Sequence, residues 1–438
     1  MVRLKSDIFS WKSLLWPLLV AGAYASWFVV TAPGPLAKDA AQYDALARSI
    51  LHGQYQLDGV TTMFREPGYS VFRAALYAVG FPTSAILWVQ VALIVATIWL
   101  ATSAVRRIDE RLVLPTAWLS AIYAGLTYTA SQSYSECFTA FILALVGYVA
   151  VRVIAQTSRP TVEIPNSKFR PTIKQSNNQT AFTASCFPIA LAIILGLLCG
   201  YLALTRGVYL FFGLLCAVVL FCFMRRETMR KRLLIAVSIF GASLLLIVPW
   251  IVRNEILFGR PALALRAGTN LYARAVKAKQ SWSVYAVSLG SATLGQAAMT
   301  KWAPTVTPFV MMEQYRETWA VYLPMTEVMP DWKADAIMFA RAKGTILSSP
   351  AVFTRYVAWS AIDCWRLLAF ASPLSPGFPI EAMFNVQAAA GPLSMAQVLI
   401  LVVAHVIEWI WVIGTLIGLV LGFRAYGLKF VPGWIVGY

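Results

Sequence analysis

Charge is sparse in this sequence, and several acids and arginines away from the basic clusters are spaced for chemistry. Asp39 opens Lys38-Asp-Ala-Ala-Gln-Tyr-Asp44, and Arg65-Glu66-Pro67-Gly68 follows. Glu136 ends Gln132-Ser-Tyr-Ser-Glu136, Arg206 interrupts Leu204-Thr-Arg-Gly207, and Arg253-Asn254 comes just after Pro249-Trp250. Two carboxylates at a low-dielectric boundary suit general-base chemistry, since partial desolvation raises a carboxylate's pKa toward working pH. Arginines on the same side suit a phosphate, which the guanidinium fork binds through two parallel hydrogen bonds.

Each residue also has a plainer reading. Asp39 precedes Gln42 at capping-box spacing, and Tyr43, Leu46/Ala47 and Ile50 fall on one helical face before Gly53. A capped interfacial helix explains that stretch as well as a catalytic base does. Glu66 can cap a helix with Pro67 at its first position. Glu136 can stabilise a helix N-terminus, and Arg206, Arg253 and Trp250 can be interface anchors. Three arginines on one predicted side exceed the inside-positive bias, so for them a phosphate site is favoured.

The elements that must position these residues are membrane helices. Of 438 residues, 59% are hydrophobic and 13% charged, with a mean hydropathy of +0.68, whereas a soluble domain carries roughly a quarter charged residues. Apolar runs of about 18 residues or more cross the hydrocarbon core as helices. Eight spans are expected, near 13–31, 84–105, 112–130, 134–155, 184–205, 207–224, 233–252 and 395–423. The basic clusters Arg3/Lys5/Lys12, Arg106–Arg111, 152–183, Arg225–Arg232 and Arg424/Lys429 then fall on one side, which makes that side cytoplasmic. The same pattern accounts for the net charge of +17 and removes a nucleic-acid partner from consideration. The expected fold is thus all-α and polytopic, in a cytoplasmic (inner) membrane with both termini inside.

Three regions follow from this threading. Residues 1–252 form a transmembrane module whose helical outer loop 32–83 carries the candidate site and whose cytoplasmic loop 156–183 is polar and flexible. Residues 253–394 form a larger outer segment with interfacial helices, including 350–370. Residues 395–438 hold the last span and a tail whose end, Phe430–Tyr438, reads like the start of a further span. Met1-Val-Arg-Leu-Lys5 before a long apolar run reads as an uncleaved anchor. Six cysteines lie mostly in apolar runs without a CxxC pair, and there are only two histidines, His52 and His405, so a zinc or disulfide framework is not expected. Glu408 near the middle of the last run is read as a packing carboxylate facing the bundle interior. No Gly-rich phosphate loop, nucleophile elbow or HExxH is present.

Taken in order, these residues resemble the C-type glycosyltransferase superfamily, with particular likeness to bacterial protein mannosyltransferases (glycosyltransferase family 39) and aminoarabinose transferases. The likeness rests on Asp39 with Tyr43, Arg65-Glu-Pro-Gly-Tyr69, Ser135-Glu136, Leu204-Thr-Arg206, Pro249-Trp-Ile-Val-Arg-Asn254, Phe258-Gly259 and Gly268-Thr-Asn-Leu271, covering about residues 35–275. It implies a polyprenyl-phosphate sugar as donor, a lipid, glycan or protein as acceptor, inversion by direct displacement, and reaction at the outer face of the membrane. Carried over by residue, Asp39 is the catalytic base and Glu136 a second acid. Arg65, Arg206 and Arg253 hold the donor phosphate, with Glu66, Tyr43 and Asn254 in the same site. Family members often open with two adjacent acids, where this chain has Lys38-Asp39-Ala40 and Asp44 a turn further on. No cofactor is assigned; a divalent metal stays open, because related families differ and evident ligands are few. The alternatives are a transporter or flippase of a lipid-linked saccharide, and a non-catalytic relative in envelope assembly.

Overall fold

The computed structural model describes residues 11–31, 39–157, 177–225, 227–286, 307–358 and Met395. These residues are almost entirely helical. Among the described residues, five helices have stretches long and apolar enough to cross a membrane: α1 (Trp11–Thr31), α4 (Ala85–Arg106), α7 (Glu136–Thr157), α8 (Asn177–Thr205) and α10 (Met229–Phe258). The protein is therefore an all-α polytopic membrane protein. Its core is a seam where Ile142 and Val146 of α7 meet Leu195 and Leu202 of α8 and Ile235 and Ile239 of α10. In lipid such seams hold by close side-chain packing rather than by release of water.

Two expected spans take a different form. The run 112–130 is not one helix but α5 (Val113–Ala121), α6 (Ala124–Tyr128) and a 3₁₀ turn at Thr129–Ser131, parted where Tyr123 is extended at ψ 100°. The hydroxyls of Thr127, Thr129 and Ser131 donate to the carbonyls of Tyr123, Leu126 and Tyr128. Such local bonds compete with a regular ladder. Buried Gln90 of α4 donates to the freed carbonyls of Ala130 (3.2 Å) and Gln132 (2.7 Å), so the break leaves these groups satisfied. The run 207–224 is a 3₁₀ turn followed by α9 (Phe212–Phe223), twelve residues and short for a span. The run 395–423, with His405 and Glu408, lies outside the described residues apart from Met395, as do residues 158–176 of the polar loop. Residues 177–183 belong to α8 rather than to that loop.

Short elements gather at one end of the bundle. Between α1 and α4 lie α2 (Asp39–Leu51), a hairpin of β1 (Gln56–Leu57) and β2 (Val60–Thr61), and α3 (Gly68–Ala78). The hairpin turn is Asp58-Gly59, both with positive φ (+53° and +78°), the backbone that a two-residue turn between twisted strands requires. After α10 come α11 (Ala267–Ala278), α12 (Thr307–Val328) and α13 (Asp331–Ser348). Buried Asp335 of α13 accepts the N–H groups of Gly268 (3.0 Å) and Thr269 (2.8 Å). It thereby satisfies the orphan donors at the start of α11 and ties these helices together.

Candidate active site

The site is built where α2, α3, α7 and the α8–α9 turn meet. Arg73 of α3, fully buried, donates to Asp44 of α2 at 2.6 Å, and Tyr77 and Arg48 (2.9 Å) donate to the same carboxylate. Burial alone would raise the Asp44 carboxyl. The Tyr77 and Arg48 hydrogen bonds and the Arg73 charge outweigh it and hold it below the usual range. This buried pair fixes α2 on α3 and so fixes the position of Asp39 at the start of α2.

The sequence Arg65-Glu-Pro-Gly68 docks on Leu204-Thr-Arg-Gly207. A Cβ on Gly68 would stand 2.7 Å from backbone atoms of Leu204 and Thr205, so only glycine allows this approach. Tyr201 donates to the Gly68 carbonyl at 2.9 Å. Glu66 does not cap α3, whose N-cap Pro67 has no side-chain cap. Its Oε1 accepts the Gly207 N–H at 2.9 Å, which holds the turn that carries Arg206.

Two ion pairs stand on this frame. Asp39 pairs with Arg65, and Arg266, at the start of α11, reaches its other oxygen at 3.8 Å. Arg65 is buried and its Nε and Nη2 also donate to Gln42 Oε1 at 2.9 and 2.8 Å, so Gln42 serves Arg65 instead of a capping box. The second pair is Arg206 Nη2 with Glu136 Oε1 at 2.6 Å, each side chain roughly two-fifths exposed. Glu136 Oε2 is buried with no hydrogen-bond partner. Tyr43 lies between the pairs, with the Arg65 guanidinium 5.1 Å from its ring centre. Burial pushes its phenol above the ordinary value against the pull of Arg65, with Glu66, Ser135 and Arg206 as further neighbours.

From the Arg206–Glu136 pair a groove of about 260 Å³ runs down between α4, the broken α5–α6 and α7, walled by residues such as Ile98, Ala101, Leu126 and Leu143.

Arg253 and Asn254 sit apart from both carboxylates. Arg253 lies over Trp250 (4.5 Å) and Tyr55 (5.4 Å) and donates to the Thr62 carbonyl (3.3 Å) and to Asn254 (2.7 Å). Fully buried Asn254 donates to the carbonyls of Ala262 and Leu263. These contacts fasten the hairpin and the chain after α10 to the end of that helix.

No family model matches the chain, and no curated protein matches it. Two solved structures of the Archaeoglobus fulgidus oligosaccharyltransferase align with it. The apo form gives a TM-score of 0.41 at 14% identity, covering 91% of this chain and 57% of that one. The form tethered by a disulfide bond to an acceptor peptide with the NVT sequon gives 0.38 at 13%, covering 91% and 55%. This chain thus spans little more than half the length of those structures.

Sequence reasoning missed Arg266. Its guanidinium lies 4.3 Å from the Phe64 ring centre, and burial lowers its pKa, with Arg65 adding to the fall and Asp39 opposing it. The available signal was its place two residues before the Gly268-Thr-Asn-Leu271 stretch. A divalent metal does not fit the donor set. Asp39 and Glu136 each face guanidinium groups, and among the described residues no three His, Cys, Asp or Glu side chains converge.

Proposed function

We propose that the protein is an inverting glycosyltransferase that moves a sugar from a polyprenyl-phosphate donor to an acceptor at the outer face of the membrane. The observation that carries this reading is that Arg206 and Glu136 head an apolar groove while Tyr43 links them to the Asp39–Arg65–Arg266 cluster. The polyprenyl chain occupies the groove beside α4 and α7, and Arg206 meets the phosphate at its head. Arg65 and Arg266 supply further positive charge.

In the resting state Asp39 occupies Arg65 and Arg266. An incoming phosphate competes for the same guanidinium groups, which are fixed donors of the kind that stabilise developing negative charge. Asp39 then exchanges its cations for the acceptor hydroxyl. The acceptor oxygen attacks the anomeric carbon, its proton passes to the Asp39 carboxylate, and the glycosyl–phosphate bond breaks. The electron pair leaves on the phosphate oxygen, and attack opposite the leaving group inverts the centre. Glu136 holds Arg206 in place rather than taking a proton. Arg253 and Asn254 act through the hairpin they anchor.

The deciding experiment supplies the purified full chain with radiolabelled polyprenyl-phosphate sugars and membrane extract as acceptor source. Label should leave the lipid, and Asp39→Asn should reduce transfer by about 10²–10⁴-fold while the protein is still expressed and folded. An Asp39→Asn protein of full activity would overturn the assignment.

A further inference from the structure

Gln42 and Phe64 each face two ways. Gln42 Oε1 is held by Arg65, and Phe64 carries the Arg266 guanidinium on its ring. Both residues also line a second cavity, of about 520 Å³, within the roughly 300–1,000 Å³ that ligand pockets occupy. Gln42 lies one helical turn beyond Asp39 on the same face of α2, and Arg65 bonds to both, which ties this wall of the cavity to that carboxylate. Its far walls are the hairpin turn with Asp58, Phe258 at the end of α10, and Asp331-Trp332 at the start of α13. The donor groove beside Glu136 shares none of its lining residues with this cavity.

The lining chemistry is selective. Three aromatic rings (Phe64, Phe258 and Trp332) stand with two carboxylates, the Gln42 amide and the hydroxyls of Thr61, Thr62 and Thr326. Among the described residues no lysine or arginine lines the cavity; Arg260 and Lys333 stand 6.0 and 5.3 Å from the Trp332 ring centre, and Arg253 5.8 Å from that of Phe258. A phosphate therefore has no guanidinium or ammonium group in this lining to hold it directly, whereas the donor groove is headed by Arg206. Carboxylates only accept hydrogen bonds, which suits a ligand rich in hydroxyl donors. Aromatic rings offer flat apolar platforms for the C–H faces of such a ligand. A peptide binding by strand addition would need a strand edge, and each hairpin strand is only two residues long.

We propose that this cavity is a carbohydrate subsite that holds a glycan acceptor beside Asp39. Only the word acceptor rests on the transferase reading; the ligand class rests on the cavity itself. The two Asp side chains bind hydroxyl pairs, and Trp332 and Phe64 hold the ring faces. Arg253 supports the site from behind, because its bond to the Thr62 carbonyl fixes the hairpin wall.

The test uses the full chain in nanodiscs and saturation-transfer NMR with uncharged trisaccharides of glucose, mannose, galactose and N-acetylglucosamine, beside a trilysine peptide. At least one trisaccharide should bind. Trp332→Ala and Asp331→Asn should each weaken that binding tenfold or more, Trp332→Tyr should restore it, and melting temperatures should stay unchanged. The proposal is overturned if no trisaccharide binds, if binding ignores Trp332 and Asp331, or if the peptide binds there instead. Donor consumption, measured in parallel with Asp39→Asn, separates the two claims. Sugar binding that depends on Trp332 without donor turnover removes the transferase and keeps the subsite. Donor turnover with a cavity indifferent to sugars does the reverse.

Discussion

Arg206 Nη2 donates to Glu136 Oε1 at 2.6 Å, while Glu136 Oε2 is buried without a partner. Glu136 is held on one oxygen only, and Arg206 keeps the rest of its guanidinium fork for another anion. A charge-assisted hydrogen bond is worth about 1.5–3 kcal/mol. Arg206→Ala should therefore raise KM for the polyprenyl-phosphate sugar by roughly 10–100-fold, with Arg206→Lys in between. Glu136→Gln should keep at least a tenth of wild-type turnover, because the amide oxygen still accepts from Arg206. Steady-state kinetics with varied donor checks both variants.

The pairing of Asp39 with Arg65 and Arg266 makes a second prediction that a purely structural aspartate would not. If the donor phosphate and Asp39 compete for the same cations, Asp39→Asn should bind donor lipid more tightly, by several-fold, while losing turnover. Arg266→Ala should weaken donor binding by about tenfold. Filter binding or fluorescence anisotropy with a labelled polyprenyl-phosphate sugar reads both changes. Unchanged donor affinity in Asp39→Asn would rule out the exchange.

Asp44 supports a pH prediction. Its carboxyl lies below its usual value in the folded protein, so its contribution to stability is present above about pH 4, the unfolded value, and is lost as pH falls through the folded value. Hydrogen-exchange protection over α2 and α3, relative to the intrinsic rate at each pH, should fall below about pH 4 in the wild type, and Asp44→Asn should flatten that dependence. Arg73→Met leaves a buried carboxylate without its buried cation and should cost about 3 kcal/mol, read as a lower thermal midpoint.

The separate parts of the candidate site were legible because charge is rare in an apolar chain: Asp39, Arg65, Glu136 and Arg206 stand out at the ends of hydrophobic runs. Which residue meets which was not legible. Glu66 meets Gly207 across 141 positions, and nothing local distinguishes that use from a helix cap. Arg253 shows the converse. It has the same sequence credentials as Arg206, yet aromatic rings and a carbonyl hold it away from the carboxylates. Hydropathy identified the run 112–130 as apolar but is blind to the backbone. The break at Tyr123 is written in the Thr127, Thr129 and Ser131 hydroxyls, which bond to carbonyls three and four residues back. The hairpin had a usable signal in Leu57-Asp-Gly-Val60, whose Asp-Gly pair favours positive φ at both turn positions.

Gly68 offers the sharpest test of how the motifs act together. A Cβ there would stand 2.6 Å from Thr205 Oγ1 and 2.7 Å from the Leu204 and Thr205 backbone. Backbone cannot rotate away as a side chain can, so Gly68→Ala must push α3 off the end of α8 at about 1–3 kcal/mol. The same displacement lengthens the Glu66–Gly207 bond and moves the turn that carries Arg206. Gly68→Ala should therefore raise donor KM by at least tenfold as well as lower the thermal midpoint. Gly80, where an added Cβ meets nothing within 4 Å, provides the control. Gly80 has φ +91°, so Gly80→Ala strains its own backbone and lowers stability, but it should leave donor KM unchanged. A Gly68→Ala protein that loses stability yet keeps its donor KM would show that the docked motif holds the fold without setting the position of Arg206.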